Sequence, residues 1–259
     1  MPEMQNLEKC NVELYKTMKD KLFFISILPQ DKEYRFFDYG CGDGELLLNL
    51  RKIYGNKCQY TGYDTDPIMI RKAREKDCDS YYSESVGCMS YISTVRNKVL
   101  ILSSVIHEIL TENQSLIDLF WDRVQEVNWD YIIVRDMMYS EESCQPLYDL
   151  MPEEFEKLKE LDKYNEFENT FGKITTKKDL IHFLLKVKYD GNDWNRELKE
   201  NYFPISSQEF LNKMKDKYRL IHYEQFQLPF MTKYWKEQFN ITLLEPTHVK
   251  CIFKNKRLL

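Results

Sequence analysis

An aromatic run, Arg35-Phe-Phe-Asp38-Tyr39, breaks into Gly40-Cys41-Gly42-Asp-Gly44 and leads straight into Glu45-Leu-Leu-Leu; twenty residues beyond Gly44 a second short run, Cys58-Gln-Tyr-Thr-Gly-Tyr, ends at Asp64. The first part predicts a buried strand, a glycine turn and an apolar helix in immediate succession. Glycines at alternate positions let backbone approach a ligand where a Cβ would collide, and the unpaired N–H groups at a helix start favour an anionic group. A glycine cluster alone is as well explained by a tight turn, and a strand-end acid alone by a cap. Their combination at this spacing points to a nucleotide-cofactor pocket.

The details of the turn separate one kind of cofactor from another. A dinucleotide fingerprint would place its third glycine three residues after Gly42, where Glu45 stands. Asp38, two residues before the first glycine, would attract a cationic or amino-bearing ligand rather than a pyrophosphate. An Asp-x-Gly-x-Gly-x-Gly motif after a first strand, here Asp38, Gly40, Gly42 and Gly44 with Cys41 inside the turn, resembles the class I S-adenosylmethionine-dependent methyltransferases. That resemblance implies S-adenosyl-L-methionine as cofactor and S-adenosyl-L-homocysteine as product. Asp64, at a strand's carboxyl end, is placed to accept two ribose hydroxyl hydrogen bonds. In the family the following turn flanks the adenine, which implies Thr65 and Ile68 as neighbours of the base. Asp66-Pro67 reads as an N-cap followed by proline at the first helical position.

Strands and helices alternate along the chain. Strands are expected at 35–39, 59–63, 80–82, 98–102 and 131–134, and helices at 45–54, 67–76 and 115–127, after an opening helix from Asn6 to about Leu28. Such alternation predicts an α/β fold, a doubly wound and mostly parallel sheet of about seven strands with helices on both faces. Two late runs, from Tyr218 and from His248, alternate well enough for a final strand pair, one of them antiparallel, resembling the closing hairpin of the methyltransferase sheet. Between them and the fifth strand, residues 139–205 carry no strand signal; Thr176 and Asp179 stand in capping-box spacing ahead of Leu180, Phe183, Leu184 and Val187. A structureless loop of that length is improbable, so a helical insertion is expected. The chain thus divides into an N-terminal helical segment (1–34), a cofactor-binding core (35–138 and 206–259) and the insertion (139–205), which by the resemblance would cap the acceptor pocket.

Methyl transfer from a sulfonium is an in-line displacement, so acceptor-side groups should follow strands four and five. Ser103-Ser104-Val-Ile-His107-Glu108 resembles the segment of many small-molecule methyltransferases in which a polar residue and then a histidine approach the site. Ser103 is thus expected near the cofactor, and His107 is the candidate general base because its pKa lies nearest neutrality. Arg135 could clamp an acidic group of the acceptor, or pair with Asp136 at the strand end; Tyr139 could pack over the acceptor. Trp194, Glu197, Tyr202 and Phe203 line the acceptor pocket on one reading and fill a core on the other. No Asn/Asp-Pro-Pro-Tyr/Phe motif follows strand four, which argues against methylation of exocyclic base amines, and no Pro-Cys motif supports thiolate chemistry on pyrimidines.

Composition sets outer limits. No apolar run approaches membrane-spanning length, and the amino-terminal residues lack the basic and apolar regions of a secretory signal, so a cytoplasmic location is expected. Seven cysteines without a Cys-x-x-Cys pair read as reduced thiols, and four dispersed histidines call for no metal. Residues 141–170 hold ten acids against three lysines, and residues 213–259 hold ten Lys or Arg against four acids. A solvated helix face explains such runs, but the basic tract keeps a nucleic-acid acceptor open as an alternative to a small or mid-sized molecule. Other rivals are a protein that binds the cofactor without catalysis and a nicotinamide-dependent oxidoreductase, the latter disfavoured by Asp38 and Glu45. Oligomeric state has no signal.

Overall fold

The computed structural model describes residues 18–77, 79–85, 87–89, 97–112, 114–147 and 152–258. In chain order its elements are β1 (Arg35–Tyr39), α1 (Glu45–Tyr54), β2 (Gln59–Tyr63), α2 (Pro67–Lys76), β3 (Tyr81–Ser83), β4 (Lys98–Ser103), α3 (Ile106–Ile109), α4 (Gln114–Glu126) and β5 (Tyr131–Met137). The helices α5 (Pro152–Lys159), α6 (Asp162–Phe171), α7 (Lys177–Lys186), α8 (Gly191–Glu197) and α9 (Ser207–Met214) follow, then β6 (Tyr218–Phe226), α10 (Pro229–Phe239) and β7 (His248–Asn255). One seven-stranded sheet has the order β3-β2-β1-β4-β5-β7-β6. The first five strands are parallel, and β7 runs antiparallel to both β5 and β6, so β7 alone is reversed. Chain direction of travel changes between β1 and β4, which opens a crevice at their carboxyl ends, where ligands of such sheets bind.

Period-two alternation explains how the sheet is covered on both faces. On one face Phe37, Leu100, Leu102, Ile132 and Val134 pack with Ile106, Phe120, Val124, Trp129, Phe210 and Met214. On the other, Phe36, Val99, Ile101 and Ile133 pack with Leu46, Leu47, Leu50 and Tyr54 of α1 and with Ile70 and Ala73 of α2. All six residues of β4 are buried, as expected of a central parallel strand.

Most boundaries agree with the sequence expectations. β3 starts one residue later than expected, β4 and β5 run on to Ser103 and Met137, and α4 is displaced by one residue. The opening helix differs more. Its described part is helical over residues 18–21 and tightens into a 3-10 turn at Phe23–Ser26; the rest of the expected span lies outside the described residues. Leu22, Phe24 and Leu28 fasten this segment to the α1 face of the sheet.

Between β5 and β6 the chain builds a third apolar cluster. Leu158, Tyr164, Phe167, Leu180, Phe183, Leu184 and Trp194 pack together, and α10 adds Met231 and Trp235 to them. The indole of Trp235 donates to the Leu184 carbonyl at 3.1 Å. α7 carries the expected capping box: Asp179 N–H donates to the Thr176 hydroxyl and Thr176 N–H donates to the Asp179 carboxylate. α8 falls within the expected helical insertion, for which the sequence marks no bounds there, whereas α9 lies beyond it and is not expected. The start of α9 is nonetheless marked in the sequence, since the Ser206 hydroxyl accepts from Glu209 N–H at 3.1 Å in N-cap spacing. No described helix is long and apolar enough to cross a membrane.

Candidate functional site

The glycine turn after β1 takes the shape its sequence requires. Gly40, at φ +74°, and Gly44, at φ +77°, both adopt left-handed backbone. A Cβ on Gly40 would lie 2.7 Å from Val105 Cγ2, and one on Gly44 would lie 2.5 Å from the Tyr82 hydroxyl. The turn is therefore pressed against the segment after β4 on one side and against β3 on the other. Gly40 and Cys41 N–H both donate to the Tyr63 carbonyl, and Gly42 N–H donates to Asp64 Oδ2 at 2.8 Å. The other oxygen of Asp64 accepts from Asp66 N–H at 2.9 Å, and Asp66 in turn caps α2 by accepting from Ile68 N–H. Two backbone donors thus fix the Asp64 carboxylate, and each oxygen keeps a lone pair for a ligand.

A crevice of about 250 Å³ opens here, lined by Tyr39, Gly40, Tyr63, Asp64, Thr65, Val105, Glu108, Glu112 and the α4 residues Leu116, Leu119, Phe120 and Arg123. Of the residues expected at the cofactor, Gly40, Asp64 and Thr65 line it. Gly42 is tied to Asp64 one step behind, and Ile68 lies half exposed at the start of α2. Cys41 is buried, its Sγ where a Cβ on Gly62 would fall, so its thiol fills space between β2 and the turn. Ser103, at the end of β4, is buried, and its hydroxyl has no hydrogen-bond partner among the described residues. Asp38 is 2 % exposed. Burial, opposed by Lys21 and reinforced by Asp64, pushes its carboxyl up to about 8.

The acceptor-side candidates separate clearly. His107 is 4 % exposed, with Nδ1 2.5 Å from Asp136 Oδ1. Asp136 is fully buried and also accepts from the backbone N–H groups of Val105, Ile106 and Met137. Burial alone would raise its carboxyl, but His107 and these amides hold it below the usual range, so it is ionised. The ionised carboxylate makes Nδ1–H the donor and Nε2 the nitrogen that carries the lone pair. Burial likewise disfavours the charged imidazole, yet Asp136 outweighs it, with Glu108 and Glu200 adding, and the His107 pKa is raised. The expected alternative pair of Arg135 with Asp136 does not form. Arg135 Nε donates to Asp20 at 2.8 Å and Nη1 to the Ser104 hydroxyl at 3.0 Å, with Lys250 also on Asp20 at 2.6 Å. Arg135 thus ties the segment before β1 to the sheet.

The insertion reaches this corner through residues 200–203. Tyr202 meets the His107 ring edge to face at 5.6 Å between centroids, and Asn201 N–H donates to the Thr111 hydroxyl, which donates to the His107 carbonyl. Tyr202 is itself held by a hydrogen bond to Glu197 and by Lys186, whose ammonium lies 3.4 Å from its ring centroid. Trp194, Glu197, Tyr202 and Phe203 are all buried; Tyr202 touches His107, and Phe203 lines a separate small cavity with His182 and Asn201. Tyr139 is half-buried beside Phe203, 6.2 Å between rings, with the Lys178 ammonium 5.0 Å from its own ring. Sequence reasoning missed Asp136 as the partner of His107, and it missed Glu200, which the insertion sets beside His107 and Glu108.

The family described as methyltransferase domain matches residues 30–186. None of the curated proteins matches the sequence. Among solved structures, the plantazolicin methyltransferase BamL, in complex with a triazolic desmethylPZN analog and SAH, is similar at 12% identity with a TM-score of 0.52, over 98% of this chain and 91% of that one. The plantazolicin methyltransferase BpumL in complex with SAH is similar at 11% identity with a TM-score of 0.50, over 98% of this chain and 89% of that one. Likeness at such identity is likeness of fold.

Proposed function

The chain belongs to the S-adenosylmethionine-dependent methyltransferases, and on that premise we propose that it carries the donor's methyl group to an oxygen or nitrogen of a small or mid-sized acceptor, with the cofactor in the crevice beside Gly40 and Asp64. The observation that carries this reading is the Asp64 carboxylate, fixed by Gly42 and Asp66 N–H at the mouth of a crevice that the glycine turn opens. A carboxylate so held has little orientation left to lose when a ribose diol binds it. Asp38 receives the cofactor's amino group, the Ser103 hydroxyl, which has no partner among the described residues, its methionine portion, and Thr65 and Ile68 flank the adenine. SAH bound in the structures of similar fold supports the same choice of cofactor.

Beyond the methyl lies the pair of His107 and Asp136. Asp136 sets the tautomer and direction of the ring, so Nε2 is the atom that takes the acceptor's proton where the acceptor must lose one. Tyr202, and with it the insertion, closes the corner and limits water there. Arg135, consumed by Asp20, has no part in holding the acceptor; Tyr139 is its proposed neighbour, while Phe203 lines the separate small cavity. The five described cysteines are free thiols, which suits the cytoplasmic location expected of the chain.

Asp38 gives cofactor binding a pH dependence. A carboxyl with a pKa of about 8 is mostly protonated at neutrality in the empty protein. A bound ammonium favours its carboxylate, so binding releases a proton below that pKa and affinity rises with pH. Calorimetric titration with S-adenosylhomocysteine is expected to show affinity increasing between about pH 6 and 8, by at most about tenfold per unit, then levelling. Asp38→Asn removes the slope; a wild-type affinity constant across that window would contradict the assignment of Asp38.

The reading as a whole is tested by incubating the protein with methyl-labelled S-adenosylmethionine and, separately, metabolite, RNA and protein fractions. Label entering the small-molecule fraction is the expected result. Label confined to RNA would move the acceptor to the nucleic-acid alternative, and binding without any transfer would leave a cofactor-binding protein without catalysis.

A further inference from the structure

His107, Glu108 and Glu200 each present one ligand atom, and these three atoms lie within 4.8 Å of one another. They come from two parts of the chain: α3 supplies the first two, and the turn after α8 supplies the third. The turn is pinned to α3 by the Asn201 and Thr111 hydrogen bonds and by the Tyr202 ring on His107. One imidazole nitrogen and two carboxylates form a mixed donor set of the kind that holds first-row divalent cations.

Two further observations distinguish this cluster from an ordinary group of surface acids. The imidazole is directed from behind: Nδ1 is occupied by Asp136, which is fully buried and held by three backbone amides. A carboxylate on the far nitrogen of a histidine is the outer-shell arrangement that orients a metal-binding imidazole and raises its basicity. There is also an entry path, since Glu108 is exposed and lines the same crevice as Gly40 and Asp64. Metal–ligand bonds of about 2.0–2.2 Å place ligand atoms roughly 3 Å apart, so the two carboxylates close on the imidazole by side-chain rotation when the cation binds.

We infer that His107 Nε2, Glu108 and Glu200 form a binding site for a divalent first-row cation on the acceptor side of the cofactor crevice. Three protein ligands leave coordination positions open for an acceptor oxygen. Coordination there lowers the pKa of an acceptor hydroxyl, so its proton passes to solvent water; the resulting oxyanion attacks the methyl carbon, and the sulfur–carbon bond breaks to leave a neutral thioether. While the cation is bound, the lone pair of Nε2 is committed to it, and the cation replaces the ring in making the acceptor nucleophilic. The inference rests on the reading of this corner as the acceptor side. It also explains why the sequence called for no metal: Glu200 belongs to the insertion, far along the chain from the adjacent pair His107 and Glu108, and only the fold unites them.

The test uses the full chain and Mn²⁺, monitored by electron paramagnetic resonance and calorimetry, with S-adenosylhomocysteine binding measured on the same samples. One Mn²⁺ per chain is expected, its affinity reduced at least tenfold in Glu200→Gln and in His107→Gln and unchanged in Glu209→Gln, an exposed acid on α9. Glu200→Gln is a mild change at a half-buried position, and an unaltered melting profile in the absence of Mn²⁺ verifies its fold. No binding at millimolar Mn²⁺, or equal affinity in wild type and Glu200→Gln, would overturn the cation site. Retained S-adenosylhomocysteine binding in that case leaves the methyltransferase reading standing, whereas Mn²⁺ bound at this site without S-adenosylhomocysteine binding supports the cation site and counts against the cofactor assignment.

Discussion

Replacement of His107 by alanine is expected to lower kcat by about a hundredfold or more while S-adenosylhomocysteine affinity stays within about twofold of wild type. The loss corresponds to about 2.7 kcal/mol of transition-state stabilisation, expected whether Nε2 takes the acceptor's proton itself or holds the cation that lowers the acceptor's pKa. The split between the two readouts follows from geometry. His107 is held by Asp136, meets Tyr202 and is not among the residues that line the crevice beside Gly40 and Asp64, so on the proposed reading it serves the acceptor and no cofactor contact depends on it. Its removal leaves a buried carboxylate, but three backbone N–H groups still satisfy Asp136, which limits the structural damage. His107→Gln, which retains a polar side chain for Asp136, provides a second variant with better-preserved packing. A kcat within a few fold of wild type in both would return His107 to a purely structural role. Asp136→Asn should lower kcat in the same direction, because a neutral amide no longer fixes the ring's tautomer.

Asp64→Ala is the second large effect, and it acts on the other readout. The carboxylate is expected to make charge-assisted bonds to the ribose, whose loss costs about 1.5–3 kcal/mol, roughly ten- to 150-fold in affinity by calorimetry. The same substitution frees Gly42 N–H, which now donates to Asp64, and so loosens the turn itself. Asp64→Asn keeps one acceptor oxygen and should fall between wild type and alanine. Unchanged affinity in Asp64→Ala would remove the residue from the cofactor site.

The parts of this account that were legible in the sequence are those in which one segment carries its own explanation. Phe36 and Phe37, a turn of alternate glycines and the apolar start of α1 required no partner to be known, and neither did the apolar run 99–102 of β4. Asp64 stood at a strand end because Tyr60 to Tyr63 ended there. What failed to appear was pairing between segments. Arg135 and Asp136 invite a local pair, yet consecutive strand residues point to opposite faces of a sheet. Asp136 shares the face of Ile132 and Val134 and reaches His107; Arg135 shares the face of Ile133 and reaches Asp20. The alternation was visible and would have excluded the local pair, but the identity of each distant partner depends on strand order. Glu200 was further from view, since it stands in a short turn with no periodicity and is brought to His107 by the packing of Tyr202 between Lys186 and Glu197. Likewise α8 and α9 are too short for a hydrophobic period, and only the Ser206 and Glu209 spacing marked the second of them.

Diffraction from crystals of the full chain soaked in S-adenosylhomocysteine tests the central claim most directly. The account predicts density in the crevice after β1, with both ribose hydroxyls on Asp64, the amino group beside Asp38 and the sulfur directed toward His107. An empty crevice at saturating ligand, or density bound elsewhere with Asp64 still facing only Gly42 and Asp66, would contradict it.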